Sequence, residues 1–375
     1  MKYREYKKDG AEISLLGFGG MRFPTKDGKI DRVKSQELID IAYNSGVNYF
    51  DTAYMYHNGE SELFLTEALS KYPRDSYFLA DKMPVWAAKC SDDVDKIFNE
   101  QLNKCNTDYF DFYLLHSVND EVYNKSIELD VFNKLDSYRK SGKIKRLGFS
   151  FHGSVKLLEK FVKVLDWDFA QLQLNYFDWT YQNAKRQYEV LAENDLPCIV
   201  MEPLRGGALV SLTEQADDML KSLRPDRSVA SWALRFVASL DNVLCILSGM
   251  TDLIALNDNL QSLSDDEPFT EQDLDAVFKA KQLLVDTKML PCTACNYCSD
   301  CPRKIAIPKL FRIYNDYCIS GNDYFFKEDY RDLSVDEKPF NCISCGLCVE
   351  RCPQGINVPQ KLNEVHKLAN KFDLN

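Results

Sequence analysis

The sequence predicts a (β/α)8 barrel followed by a smaller, mainly helical domain rich in cysteine, and three observations lead there. Short apolar runs alternate with stretches of helical periodicity along most of the chain. Eight such runs occur before the strand signal stops. The cysteines then crowd into the tail: of 13, only Cys90, Cys105, Cys198 and Cys245 precede Cys292.

The strand candidates are SLLGFGG from Ser14, NYFDTA from Asn48, SYFLADK from Ser76, DYFDFYLLH from Asp108, IKRLGFS from Ile144, DFAQLQLNY from Asp168, LPCIVMEPL from Leu196 and NVLCILSGM from Asn242. Each is a short apolar run of the kind a buried strand needs. Between them, SQELIDIAYNSG and SVKLLEKFVKVL carry apolar residues at helical spacing, and most such stretches close on Gly or Asn, the usual helix stops. DLIALNDNLQSL follows the last strand. Eight strand-then-helix units close as a parallel barrel, with an open doubly wound sheet as the alternative. The leading KYREYKKDGAEIS reads as a hairpin turning at Asp9 and Gly10, placed to plug the barrel bottom.

A barrel absorbs roughly 250 residues, so a chain of 375 leaves an appendage. The expected division is a barrel over 1–265 and a second domain over 266–375. That domain opens with SDDEPFTEQDLDAVFKAKQLLVDTKML, an acidic capping turn leading into one long amphipathic helix. It contains an internal repeat: CPRKIAIPKLF from Cys301 and CPQGINVPQKL from Cys352 each run Cys-Pro, then Ile, then Pro entering a helix. No chemistry is legible in SGNDYFFKEDYRDLSVDEKPF between them.

A net charge of -11 and a pI near 5 argue against nucleic acid or an anionic membrane surface as the main partner. No run reaches the roughly 18 apolar residues of a membrane span, and MKYREYKKDG lacks a signal-peptide core, so a cytoplasmic protein is expected. Clustered cysteines do not suit a distributed disulfide framework.

Reactive groups of such barrels sit at the C-terminal ends of strands. There the sequence places Asp51 in YFDTAYMY, Tyr56 in the loop after it, Lys82 in FLADKMP and His116 in YLLHS. Taken singly these are a turn cap, a packing aromatic, a solvated cation and a core histidine. Together, on three successive strand ends, they suit proton transfer to an oxygen as hydride reaches its carbon. A phenol with an ordinary pKa near 10 is a poor acid, and Lys82 is expected to lower it; Asp51 would hold Lys82, and His116 would orient a carbonyl. Met21, Met55, Trp86 and Phe151 would line an apolar pocket without naming a substrate.

In the tail, NCISCGLCVERCP spaces Cys342, Cys345, Cys348 and Cys352 as C-x2-C-x2-C-x3-C-P, the bacterial ferredoxin pattern for [4Fe-4S] ligation. PCTACNYCSDCP repeats it with Cys292, Cys295, Cys298 and Cys301, one residue shorter before the last cysteine. In this pattern the fourth cysteine serves the other cluster, so the expected sets are Cys292, Cys295, Cys298 with Cys352, and Cys342, Cys345, Cys348 with Cys301. A structural zinc site is the alternative, although zinc more often uses separated CxxC pairs. Cys318 and the four early cysteines read as plain buried thiols.

LGFGGMR, DTAYMYHNGESE, DKMP and LLHS together resemble the aldo-keto reductases across about the first 260 residues, and the tail resembles a dicluster ferredoxin module carried by a subgroup of that family. The resemblance implies a nicotinamide-dependent carbonyl reductase whose tetrad falls on Asp51, Tyr56, Lys82 and His116. It implies Ser150 and Gln171 as holders of the nicotinamide carboxamide and Met201 where many members stack a tyrosine; Phe151 replaces a common asparagine. Pro203, Leu204, Arg205 and Gly206, with Ser248, Gly249, Met250 and Asn259, complete the expected nucleotide site, although Gly206 and Gly207 also suit an ordinary turn. No basic residue occurs in SGMTDLIALNDN, where members preferring a 2'-phosphate usually carry Lys and Arg, so NADPH and NADH both stand.

The expected function is therefore reduction of a small-molecule carbonyl, or the reverse alcohol oxidation, alongside two [4Fe-4S] clusters that serve as a wire to an external redox partner, as a structural or oxidant-sensing module, or as a source of electrons for a substrate in the barrel. Hydride moves two electrons and clusters move one, a mismatch that a flavin normally resolves, yet no flavin motif is apparent. The alternative is an electron-transfer or redox-sensing protein whose barrel is not a carbonyl reductase.

Overall fold

The computed structural model describes residues 1–374. Eight parallel strands form a closed barrel: β1 Leu16–Gly19, β2 Tyr49–Asp51, β3 Phe78–Met83, β4 Phe110–Val118, β5 Ile144–Phe151, β6 Phe169–Gln173, β7 Cys198–Met201 and β8 Val243–Ser248. They neighbour one another in chain order, and β8 pairs back onto β1 through Ile246 opposite Leu16. Both faces of each strand are covered, which is why the sequence shows continuous apolar runs rather than alternation; β4 is buried at all but one position.

Phe112 is the hub of the interior, with ring centroids 4.9 Å from Tyr49, 5.0 Å from Phe169 and 5.9 Å from Phe78. Truncating such a ring to Ala costs about 3–5 kcal/mol. The leading hairpin pairs Tyr3–Tyr6 with Ala11–Ser14 and turns where expected, with the Asp9 carboxylate accepting from Ala11 N at 3.0 Å and Gly10 at φ +76°. Tyr6 and Ile13 join the interior core, and the Tyr6 hydroxyl donates to the Asp168 carbonyl at 3.1 Å, just before β6 begins. The hairpin thus covers the N-terminal end of the barrel and leaves the C-terminal strand ends for chemistry.

The chain divides into two compact units, Met1–Pro203 with Ala230–Phe269, and Leu204–Val229 with the chain from Thr270 onward. This differs from the expected 265/266 boundary in two ways. The break falls after Phe269, where Thr270 and Asp273 form the capping box that starts helix Glu271–Asp286. The segment following β7 also belongs to the second unit: helix Glu214–Leu223 packs on helix Glu271–Asp286, and the Arg224 guanidinium donates to Asp273 at 3.1 Å.

Within the second unit, helices Ile307–Ser320 and Val358–Lys371 each begin with a proline in the first turn, Pro308 and Pro359, where the missing N–H costs nothing. They are the two helices foreshadowed by the Cys-Pro repeats. Leu310, Phe311, Leu362 and Val365 share one core with Phe326 and Tyr330. The last two come from helix Asp323–Arg331, so the segment without legible chemistry supplies a wall of this core; Asn322 caps it by accepting from Tyr324 N and Phe325 N.

Candidate active site and cysteine centre

Asp51 ends β2, Lys82 lies in β3 and His116 in β4, and these are three adjacent strands. Tyr56 follows β2 in a short 3-10 turn. Asp51 and Lys82 are almost wholly buried, and the Lys82 ammonium donates to Asp51 Oδ1 at 2.5 Å and to the Thr52 carbonyl at 2.6 Å. The ammonium also lies over the Tyr56 ring, 4.9 Å from its centroid, and the Tyr56 and His116 rings meet edge to face at 6.1 Å.

Burial raises the Asp51 carboxyl above its ordinary range, opposed by the charge and hydrogen bond of Lys82. The phenol departs from the sequence expectation. Burial holds Tyr56 well above its ordinary value, the Asp51 and Glu202 carboxylates add to the rise, and Arg22 opposes it. The net effect leaves Tyr56 a protonated donor. Burial, followed by the charges of Lys82 and His152, keeps His116 well below its ordinary value, so its imidazole is neutral. Trp86 packs on His116 with centroids 4.9 Å apart, and its indole N–H points to Met55 Sδ at 3.2 Å.

Two groups of charges around the tetrad were not singled out from the sequence. Arg22, just after β1, donates to Glu202 Oε1 at 3.0 Å, and Glu202 directly follows β7 with φ +55°. Glu202 was findable by the strand-end rule; Arg22 was not, because only the barrel's closure brings the two together. The second group lies behind Lys82. Asp81 and Glu62 are both fully buried, and burial followed by the Glu62 charge holds the Asp81 carboxyl well above its ordinary range. Gln101 bridges this pair to β3, donating to Glu62 Oε1 at 3.1 Å and to the Lys82 carbonyl at 3.0 Å.

The expected nucleotide residues divide between the units. In the barrel unit, Ser150 Oγ accepts from Ser117 N at 2.7 Å, beside His116. Gln171 is buried with Oε1 left without a hydrogen-bond partner, which fits an acceptor for a carboxamide N–H. Met201 ends β7 partly exposed and Pro203 is buried. Ser248 Oγ accepts from Asn259 Nδ2 at 2.7 Å, so this pair is mutually satisfied, and exposed Gly249 and buried Met250 follow.

Leu204, Arg205 and Gly206 belong to the second unit. The Arg205 side chain is buried together with both terminal guanidinium nitrogens. Gly206, at φ +65°, lies directly on the cysteine tail: a Cβ there would stand 2.1 Å from the Thr293 carbonyl oxygen. Gly206 therefore has a steric requirement beyond that of a turn.

The cysteine loops repeat in backbone as well as sequence. Left-handed residues recur at matching places, Ala294 and Ser344, Asn296 and Gly346, Lys304 and Gly355. Such alternation turns backbone N–H groups into one concavity, a form suited to anions and iron–sulfur centres. After burial, the groups that raise Cys298 are Cys295, Cys292 and Cys352; the thiols that raise Cys348 are Cys342, Cys345 and Cys301. Among the described residues no three His, Cys, Asp or Glu side chains close around a single-ion-sized point. The remaining cysteines lie elsewhere, with Cys90 exposed and Cys105, Cys198 and Cys245 buried in the barrel unit, while partly buried Cys318 neighbours Tyr314.

The chain thus combines a closed parallel barrel that has titratable groups on adjacent strand ends with a second unit that has paired cysteine loops. The profile of the Aldo/keto reductase family matches residues 15–282, and that of the 4Fe-4S dicluster domain matches residues 291–356. The chain belongs to the Aldo/keto reductase family and has a C-terminal 4Fe-4S dicluster domain. It is similar to the NADPH-dependent alpha-keto amide reductase of Saccharomyces cerevisiae, 29% identical over 211 residues that cover 55% of this chain and 65% of that enzyme. It is also similar to the uncharacterized oxidoreductase YqkF of Bacillus subtilis, 22% identical over 74% of this chain and 95% of that protein. Among solved structures, aldo-keto reductase AKR11C1 from Bacillus halodurans in its holo form shares the fold with a TM-score of 0.61 at 23% identity, covering 75% of this chain and 96% of that one.

Proposed function

We propose that the barrel reduces the carbonyl group of a small molecule, or oxidises the corresponding alcohol, with Tyr56 as the acid or base, and that the tail holds two [4Fe-4S] clusters. The observation that carries this reading is the convergence of Tyr56, His116 and the buried Lys82–Asp51 pair on neighbouring strand ends. A nicotinamide nucleotide, NADPH or NADH, supplies the hydride when bound. Tyr56 gives its proton to the carbonyl oxygen, and the Lys82 ammonium stabilises the phenolate so formed. Neutral His116 orients the oxygen through an N–H. Gln171 and Ser150 would hold the carboxamide, and Met201 would offer its thioether to the ring.

The dependence of the yeast relative on NADPH favours the phosphorylated nucleotide, whereas the absence of basic residues in SGMTDLIALNDN favours NADH. The ligand sets are Cys292, Cys295, Cys298 and Cys352 for one cluster and Cys342, Cys345, Cys348 and Cys301 for the other, supported by the neighbour groups of Cys298 and Cys348.

Tyr56→Phe in the anaerobically purified holoprotein should lower kcat for carbonyl reduction by about 100-fold to 10,000-fold. An unchanged rate would leave the electron-transfer or sensing role as the better description. Two cubane clusters require about eight irons per chain and broad absorption near 400 nm. Colourless protein with stoichiometric zinc would refute the cluster assignment.

A further inference from the structure

The internal repeat allows the two cysteine loops to be compared position by position. Their backbones match, but their surroundings do not. In the first loop Thr293 is 2% exposed and lies beneath the Gly206 backbone. The residue at the equivalent place in the second loop, Ile343, is 60% exposed. Cys345 is exposed where its counterpart Cys295 is partly covered. Leu347 is 41% exposed where Tyr297 is partly buried, and Phe340 just ahead of the loop is 43% exposed. One loop is roofed by the chain's own segment after β7; in the other, exposed Ile343 and Leu347 stand two residues either side of exposed Cys345 in the chain, with exposed Phe340 just ahead. Exposed apolar side chains this close along a chain mark a contact site, and on the two-cluster reading the residue between Ile343 and Leu347 is a cluster ligand.

We propose that Phe340, Ile343 and Leu347, close to Cys345 in the chain, form the docking port for a small one-electron carrier protein, with the Cys342, Cys345, Cys348 and Cys301 centre as the point of electron entry. The inference rests on the two-cluster reading above. The reduced carrier loses one electron and the oxidised centre gains it; no bond is made or broken and no proton moves. The exposed ligand selects this occupant, since a partner seated there is within reach of a group that changes by single electrons. A small apolar contact also suits the weak, quickly exchanged complexes of redox proteins.

The test uses anaerobic holoprotein and a flavodoxin held as its hydroquinone, with reduction of the holoprotein followed by stopped-flow absorbance near 400 nm. Ile343→Ser/Leu347→Ser should lower the second-order rate constant about tenfold, the equivalent of about 1.4 kcal/mol of docking energy. Its iron content, EPR spectrum and rate of reduction by dithionite should stay as in the parent. Ile343→Gln/Leu347→Gln should fall in the same direction, and Phe325→Ser, which alters another exposed aromatic, should not. An unchanged rate in both double variants, or an equal fall in the Phe325 variant, would overturn the port. So would a parent dimer that the double variants dissociate, because the face would then bind a second copy of this chain. A parent holoprotein with one cluster instead contradicts the two-cluster reading, a separate outcome seen before any carrier is added.

Discussion

Removing one partner of the Lys82–Asp51 pair should destabilise the barrel far more than removing both. At 2.5 Å the gross attraction is about 7 kcal/mol for an effective dielectric of about 20. Desolvation of two buried ions offsets most of that, so the intact pair adds little net stability. A single change leaves the other charge buried without its counter-ion, at a cost of about 3–5 kcal/mol. Asp51→Asn and Lys82→Met should each show that loss, and the double variant should recover much of it. The assay is urea unfolding followed by tryptophan fluorescence, which reports the barrel unit alone because the 4 tryptophans, Trp86, Trp167, Trp179 and Trp232, all lie in it. Single variants within about 1 kcal/mol of the parent, or a double variant as unstable as the sum of the singles, would refute the reasoning.

Two further outcomes test other parts of the molecule. Cys352→Ser should disturb the same EPR signal as Cys298→Ser, and Cys301→Ser the same signal as Cys348→Ser; a Cys352 variant that behaved like a Cys342 variant would break the crossed assignment. Burial lowers His152 to about 4 from an ordinary value near 6.5, and His116 moves in the same direction. The unfolded chain therefore binds more protons between those values, and stability falls as pH drops through 6.5 toward 4. His152 alone should cost the barrel about 2 kcal/mol between pH 7.5 and pH 5 by fluorescence-detected urea unfolding, with His116 adding to it, and His152→Asn should reduce that slope without abolishing it.

The strands were legible because a parallel sheet covered on both faces demands short apolar runs, and that demand is local. The tetrad was legible for a related reason: a strand end can be read from the sequence, and residues on adjacent strand ends must converge once the barrel closes. The cysteine loops were legible from spacing, since metal ligation constrains neighbours along the chain.

Interactions that depend on which distant segments pack together were not legible. Gly206 reads from the sequence as a turn residue, but the segment after β7 belongs with the tail, which lays Gly206 on Thr293. Tyr56 was expected to be acidified, but its titration depends on burial and on Glu202 and Arg22, which the sequence separates by 180 residues.

The sequence by itself determined the barrel, the groups at its strand ends and the cysteines able to hold iron, because periodicity and spacing are properties of neighbouring residues. Tertiary structure decided which loop is roofed, which is bare and what charge each buried group meets, because burial and electrostatics are set by whatever folds against a residue from elsewhere in the chain.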